Sequence, residues 1–125
     1  MNIAELKTWL EADGFRIAPD RHTWYQRDDG WYAYRRSSIP ARECETNDGK
    51  PAQIIVYPYP SFNAAGSDDV EVELCGEAGG IWWKLRGIGI AVDDLPAKLP
   101  AVEAGLVAAW NALLPDAGIE KATEG

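Results

Sequence analysis

Three times the chain sets two large aromatic rings side by side, at Trp24-Tyr25, Trp31-Tyr32 and Trp82-Trp83. Each dipeptide lies in a run rich in β-branched and aromatic residues, the composition of a strand, and adjacent strand residues point to opposite faces. A chain written this way is expected to form a sheet with rings on both sides. What covers each side then decides what the protein can do.

The period-two pattern extends from residue 16 to residue 86, and helical spacing takes over at both ends. Asn2 and Glu5 match a capping box, Ile3, Leu6 and Leu10 recur at helical spacing with Trp9 beside them, and Gly14 supplies a left-handed stop after which Phe15 can fold back on Leu10. At the other end Asp93 and Asp94 suit a helix N-terminus, and Pro96 and Pro100 belong in first turns. The pattern predicts a short turn, then a longer helix from Pro100 with Val102, Leu106, Ala109, Trp110 and Leu113 as its apolar stripe and Pro115 as its stop. The fold class is α+β: an antiparallel sheet of about five strands flanked by an N-terminal and a C-terminal helix. A length of 125 residues with 46% hydrophobic content fits one core, so a single domain is expected over 1–115, followed by a polar tail over 116–125.

Within the sheet, residues 23–27 and Trp31–Arg36 flank Asp28-Asp29-Gly30, a good hairpin turn. Residues 53–59 make a third strand closed by Pro58 and Pro60. The clearest hairpin joins 70–75 to 80–86 through Gly76-Glu77-Ala78-Gly79, which would set Glu71 opposite Lys84. Val70, Val72 and Leu74 then share a face with Ile81, Trp83 and Leu85.

Charge narrows the partners. The net charge is -8 with a pI near 4.5, and a partner held through phosphates needs a surplus of Lys and Arg, so neither generic nucleic acid nor an anionic membrane is expected. Residues 16–50 are net +1, whereas 51–125 are net -7. The first fifteen residues are amphipathic and acidic, unlike a secretory signal, and no apolar run is long enough to span a bilayer. A cytoplasmic protein is expected, with Cys44 and Cys75 as reduced thiols.

Catalytic equipment is sparse. His22 is the only histidine, so Cys44 with His22 is the one familiar nucleophilic pair, and no family signature surrounds it. Two Cys and one His lack the spacing of a zinc site, and no metal or other cofactor is expected. Glu43, Glu45 and Asp48 share a loop with Cys44 and read as solvated surface. Gly87-Ile88-Gly89-Ile90 lacks the third glycine and the strand-turn-helix setting of a dinucleotide loop. Arg35, Arg36 and Arg42, with Lys50 nearby, could grip an anion or simply balance the loop acids. The 37–52 loop is long for a compact domain, which leaves a functional and a mobile reading open.

The aromatic pattern locates a candidate binding surface. If both helices cover the face bearing Val70, Val72, Ile81 and Trp83, with Ile54 and Val56 inward, the other face carries Trp82, Ile55, Tyr57 and Tyr59. Either Tyr32 and Tyr34 or Trp31 and Ala33 join them, and Lys84, Arg86 and Arg36 edge the patch. Each such ring can bury roughly 150–250 Å², and aromatic residues with arginine are the composition of interface hot spots. The competing arrangement puts one helix on each face, or folds the loops over the second.

Pro40-Ala41-Arg42-Glu43-Cys44, the run from Gly76 to Trp83 and the closing Trp110-Asn111-Ala112-Leu113-Leu114 resemble small uncharacterised proteins encoded in proteobacterial phages and prophages. The resemblance covers most of the chain. It implies an accessory role in the host cell through binding a host or phage protein, and it transfers no functional residue. The leading expectation is a non-enzymatic interaction module that engages a protein partner or a second copy of itself, its acidic surface steering a basic partner while the aromatic face supplies affinity. The alternatives are a small enzyme using Cys44 and His22, and a sugar binder that stacks its ligand on Trp82.

Overall fold

The structure, a computed structural model, describes residues 1–19, 30–41, 52–58, 69–78, 81–86 and 89–116, with the side chains of 77, 78, 81, 82 and 114–116 outside that set. Helix α1 (Ile3–Ala12) begins and ends by the chemistry its sequence announces. The Asn2 side chain accepts the Glu5 N–H at 2.8 Å, and the Glu5 carboxylate accepts the Asn2 N–H at 3.0 Å. At the far end Gly14 takes φ 92°, which an L side chain rarely adopts. This lets the Gly14 N–H reach the Glu11 carbonyl and the Phe15 N–H reach that of Leu10, which closes the helix and buries Phe15.

The strands form an antiparallel meander in chain order: β1 (Arg16–Pro19), β2 (Trp31–Arg36), β3 (Gln53–Tyr57), β4 (Asp69–Ala78) and β5 (Ile81–Arg86), with the short β6 (Ile90–Ala91) paired to the start of β4. The described partner of β2 on its outer side is β1, and the strand expected over 23–27 lies outside the described residues. The β4–β5 hairpin is tighter than its sequence suggests. Ala78 pairs with Ile81, so Cys75 rather than Glu71 stands opposite Lys84, and Glu73 stands opposite Arg86. The slip is four residues, an even number, so every side chain keeps the face expected of it.

The ladder carries one odd residue. Between the pairs Glu73–Arg86 and Val70–Ile90, β4 has two residues while the facing chain has three. The segment that superficially suggests a dinucleotide loop spans this uneven count, so strict alternation does not carry from Arg86 to Ile90.

A 3₁₀ turn (Val92–Asp94) leads directly into α2 (Leu95–Asp116), a single helix of 22 residues. The expectation of a break before Pro100 is corrected: Pro100 is the sixth residue of α2, where it lacks the N–H that would bond the Pro96 carbonyl. Leu95 and Leu99 before it and Leu106, Val107 and Trp110 beyond it are all buried in one core, and that packing outweighs one missing hydrogen bond. The buried stripe is also rotated from the expected one, since Ala109 is exposed and Leu113 is 46% exposed. Glu103 takes a place in the stripe because it reaches the sheet as an ion-pair partner.

Both helices pack on the same side of the sheet. Leu6 and Leu10 of α1 and Leu99, Leu106 and Trp110 of α2 share one core with Trp31, Ala33, Ile54, Val56, Val72 and Leu74. At Gly76 the approach is close enough that a Cβ would lie 3.2 Å from the Ala52 Cα and 3.3 Å from the Trp110 ring. No described helix is long and apolar enough to cross a membrane.

Candidate functional site

Strand alternation puts the remaining side chains on the face away from the helices, and the register arranges them in rows across the strands. The central row runs Arg16, Tyr34, Ile55, Glu73, Arg86 through all five main strands. On one side of it lie Ala18, Tyr32, Tyr57 and Glu71, and on the other Arg36, Gln53, Cys75 and Lys84. Tyr32 and Tyr34, rather than Trp31 and Ala33, therefore join Ile55 and Tyr57, because Trp31 and Ala33 belong to the helix-side core.

Three tyrosines make one surface. The Tyr32 ring centre lies 5.9 Å from that of Tyr34 and 5.8 Å from that of Tyr57, with the planes tilted, as aromatic pairs prefer. All three rings are half-buried, and Ile55 between the strands is buried. Trp82 lies opposite Glu77 in the register, so its position belongs to this face, whereas Tyr59 lies outside the described residues.

Charge on this face sorts by depth. Arg16, Arg36, Lys84 and Arg86 are exposed at its margins, while Glu71 and Glu73 are buried. The Arg86 Nε sits 3.1 Å from Glu73 Oε1 and 3.6 Å from Glu71 Oε1, so one arginine holds two neighbouring carboxylates. Burial, with the Glu73 charge added, pushes the Glu71 carboxyl above its ordinary range, against the opposing pull of Arg86 and Lys84. The second oxygen of Glu73, Oε2, is buried with no hydrogen-bond partner. Cys75, a buried free thiol, is pushed up to about 11 by burial and by Glu73, so it stays protonated and a poor nucleophile at neutral pH.

A second polar cluster lies on the helix side. Arg35 donates to both Glu103 oxygens, at 3.0 and 2.8 Å, and the same carboxylate accepts the Ser38 N–H at 2.7 Å and the Ser37 hydroxyl at 3.1 Å. Burial alone would push Glu103 up, but the Arg35 hydrogen bonds, the Ser38 amide and the Arg35 charge outweigh it and hold the carboxyl below its ordinary value. The Phe15 ring lies 4.6 Å under the guanidinium, and Asp13 stands 3.6 Å away. Glu103 of α2 and Asp13, the residue that caps α1, are the described partners of Arg35, while the loop acids expected to balance it lie outside the described residues. A cleft of about 540 Å³ opens beside this cluster, between Trp9, Ile39 and Pro100. Its polar groups grip one another, which makes the cluster a clamp between α2 and β2.

His22, Cys44, Glu43, Glu45, Asp48, Arg42 and Lys50 lie outside the described residues. Among the described residues no three His, Cys, Asp or Glu side chains gather as metal ligands. The sequence reading missed Glu103 as an ion-pair partner and the burial of Glu71 and Glu73. Glu103 had one available signal, a lone acid among Val102, Leu106 and Trp110 on the apolar side of a helix. Compared with known proteins, the chain matches no family model, no curated protein and no solved structure.

Proposed function

We propose that this protein is a non-enzymatic interaction module that binds a protein partner through the tyrosine face of its sheet. The observation carrying this reading is that both helices pack on one side of the sheet while the other offers Tyr32, Tyr34 and Tyr57, half-buried and in mutual contact, within a margin of exposed cations. Rigid aromatic area at the centre with charges at the rim is the anatomy of a docking surface. The rim also selects the partner. Arg16, Arg36, Lys84 and Arg86 favour a partner that presents carboxylates, even though the molecule as a whole is net -8. The resemblance to phage and prophage proteins is in keeping with an accessory role of this kind.

The test compares the wild-type chain with a Tyr32→Ala/Tyr57→Ala variant as baits in a bacterial lysate, both checked for native circular dichroism. A genuine partner is captured by the wild type, is lost by the variant, and elutes as salt rises, since rim charges are screened. Truncating an interface aromatic at a hot spot costs about 2 kcal/mol or more, so the affinity for a purified partner should fall at least about thirtyfold. If every captured protein binds the variant as tightly as the wild type, the tyrosine face is not the docking surface.

A further inference from the structure

Two acids and one arginine meet on the tyrosine face with unequal charge. Glu71 and Glu73 are two residues apart on β4, so alternation points both to the same face, and both are buried. By register Glu71 stands beside Tyr57 of β3, while Glu73 stands between Ile55 of β3 and Arg86 of β5. Asp69 and Cys75 continue that face of β4 on either side of the pair, and Lys84 lies opposite Cys75. Among the described residues, Tyr57, Asp69, Cys75, Lys84 and Arg86 are thus the nearest charged or titratable neighbours of the two acids.

One guanidinium carries one positive charge against two negative ones. Arg86 Nε is closer to Glu73, at 3.1 Å, than to Glu71, at 3.6 Å, so Glu71 is the less compensated acid. Donors are short as well, since Glu73 Oε2 is buried without a hydrogen-bond partner. A buried carboxylate that lacks a full counter-charge relieves the cost of burial by taking a proton. The arginine side chain is 59% exposed, so it can shift between the acids without disturbing the core.

We propose that Glu71 and Arg86 form a proton-operated switch on the tyrosine face. In mild acid Glu71 takes one proton from solvent, Arg86 passes wholly to Glu73, and the face gains one positive charge. The two buried acids of this protein titrate on opposite sides of the ordinary value of 4.5, Glu71 above it through burial and the Glu73 charge, Glu103 below it through Arg35. Between those two titrations the face has switched while the clamp still ties α2 to β2. The stability effect of Glu71 is opposite in sign to that of Glu103. Its native state holds the proton more tightly than the unfolded chain does, so its contribution grows as pH falls through the native value and is complete below 4.5. The consequence for docking rests on the reading proposed above: a rim of Arg16, Arg36, Lys84 and Arg86 with one acid silenced inside it holds a carboxylate-bearing partner more tightly.

The test needs the full chain alone. An NMR titration of its side-chain carboxyl carbons, from neutral pH into acid, should place the Glu71 midpoint above 4.5, with native circular dichroism throughout that transition. The Arg86 Nε–H and Tyr57 ring signals should shift with the same midpoint. Arg86→Gln should move the midpoint up, because the opposing charge is gone, and Glu73→Gln should move it down, because the like charge is gone. The wild-type signals decide the matter even if a variant folds poorly. A Glu71 midpoint at or below 4.5, or Arg86 and Tyr57 signals that stay flat through it, would overturn the switch. Capture of a partner that depends on the tyrosines but not on pH would leave the docking surface standing and remove only its control by Glu71.

Discussion

Glu103 shows how much one side chain can do here. Its carboxylate binds a guanidinium, a backbone amide and a hydroxyl, and so ties α2 to β2 and the residues that follow it. Removing one member of a buried ion pair strands the other, which costs about 3–5 kcal/mol, so Glu103→Ala should lower unfolding stability by about that amount at neutral pH. Its pH dependence follows from the lowered pKa. The native state holds this proton more weakly than the unfolded chain, so the contribution is full above the ordinary value of 4.5 and is lost as pH falls through the native value. Urea titrations should therefore show the gap between wild type and variant closing in acid. A gap of constant size would mean that the charge of Glu103 is not what stabilises the clamp. The sequence could not announce this pair, because its members are 68 residues apart and pair only once the sheet and helix are assembled.

The elements were legible to different degrees, for reasons that are local or not. Helix α1 could be read because its cap, its stop and its apolar stripe all lie within fifteen consecutive residues. The face of each residue in the β4–β5 hairpin could be read as well, since alternation survives any even slip of register. Which residue faces which could not: the β4–β5 turn is set by how far the ladder zips, and the strands run on to Ala78 and Ile81. The start of α2 was misread because local preference argues against an interior proline, while tertiary burial on both sides of it argues for continuity. A prediction follows for that element. Pro100→Ala restores an N–H within reach of the Pro96 carbonyl and relieves the ring, and interior proline costs a helix about 3 kcal/mol relative to alanine. Part of that gain is offset by the greater freedom of the unfolded variant, so thermal unfolding should show a net stabilisation of about 1–2 kcal/mol. A loss of stability would mean that the proline ring itself supplies packing in the cleft beside Trp9.

At the scale of the whole molecule, both helices lie on one side of the sheet, and the candidate site is a property of that asymmetry rather than of any one motif. Aromatic dipeptides foretold rings on both sides, but only the packing of both helices together decided which rings stay accessible. Alternation named Tyr57 but left Tyr32 and Tyr34 or Trp31 and Ala33 open, and the pairing of Arg86 with buried Glu71 and Glu73 follows only from the register of β4 against β5.

The uneven count between Arg86 and Ile90 has a consequence for how the chain is laid out. Those two residues are four apart, so strict alternation would leave Ile90 with Arg86 on the tyrosine side, yet Ile90 pairs with Val70 and is buried in the core, as is Val92. Removing one residue makes the two counts equal, and Ile90 then still falls opposite Val70 on the core side. Deleting Gly89 should therefore cost less by urea unfolding than the roughly 1.5–3 kcal/mol that expelling Ile90 would forfeit. A loss of that size or more would mean that the surplus residue itself seats the final helix.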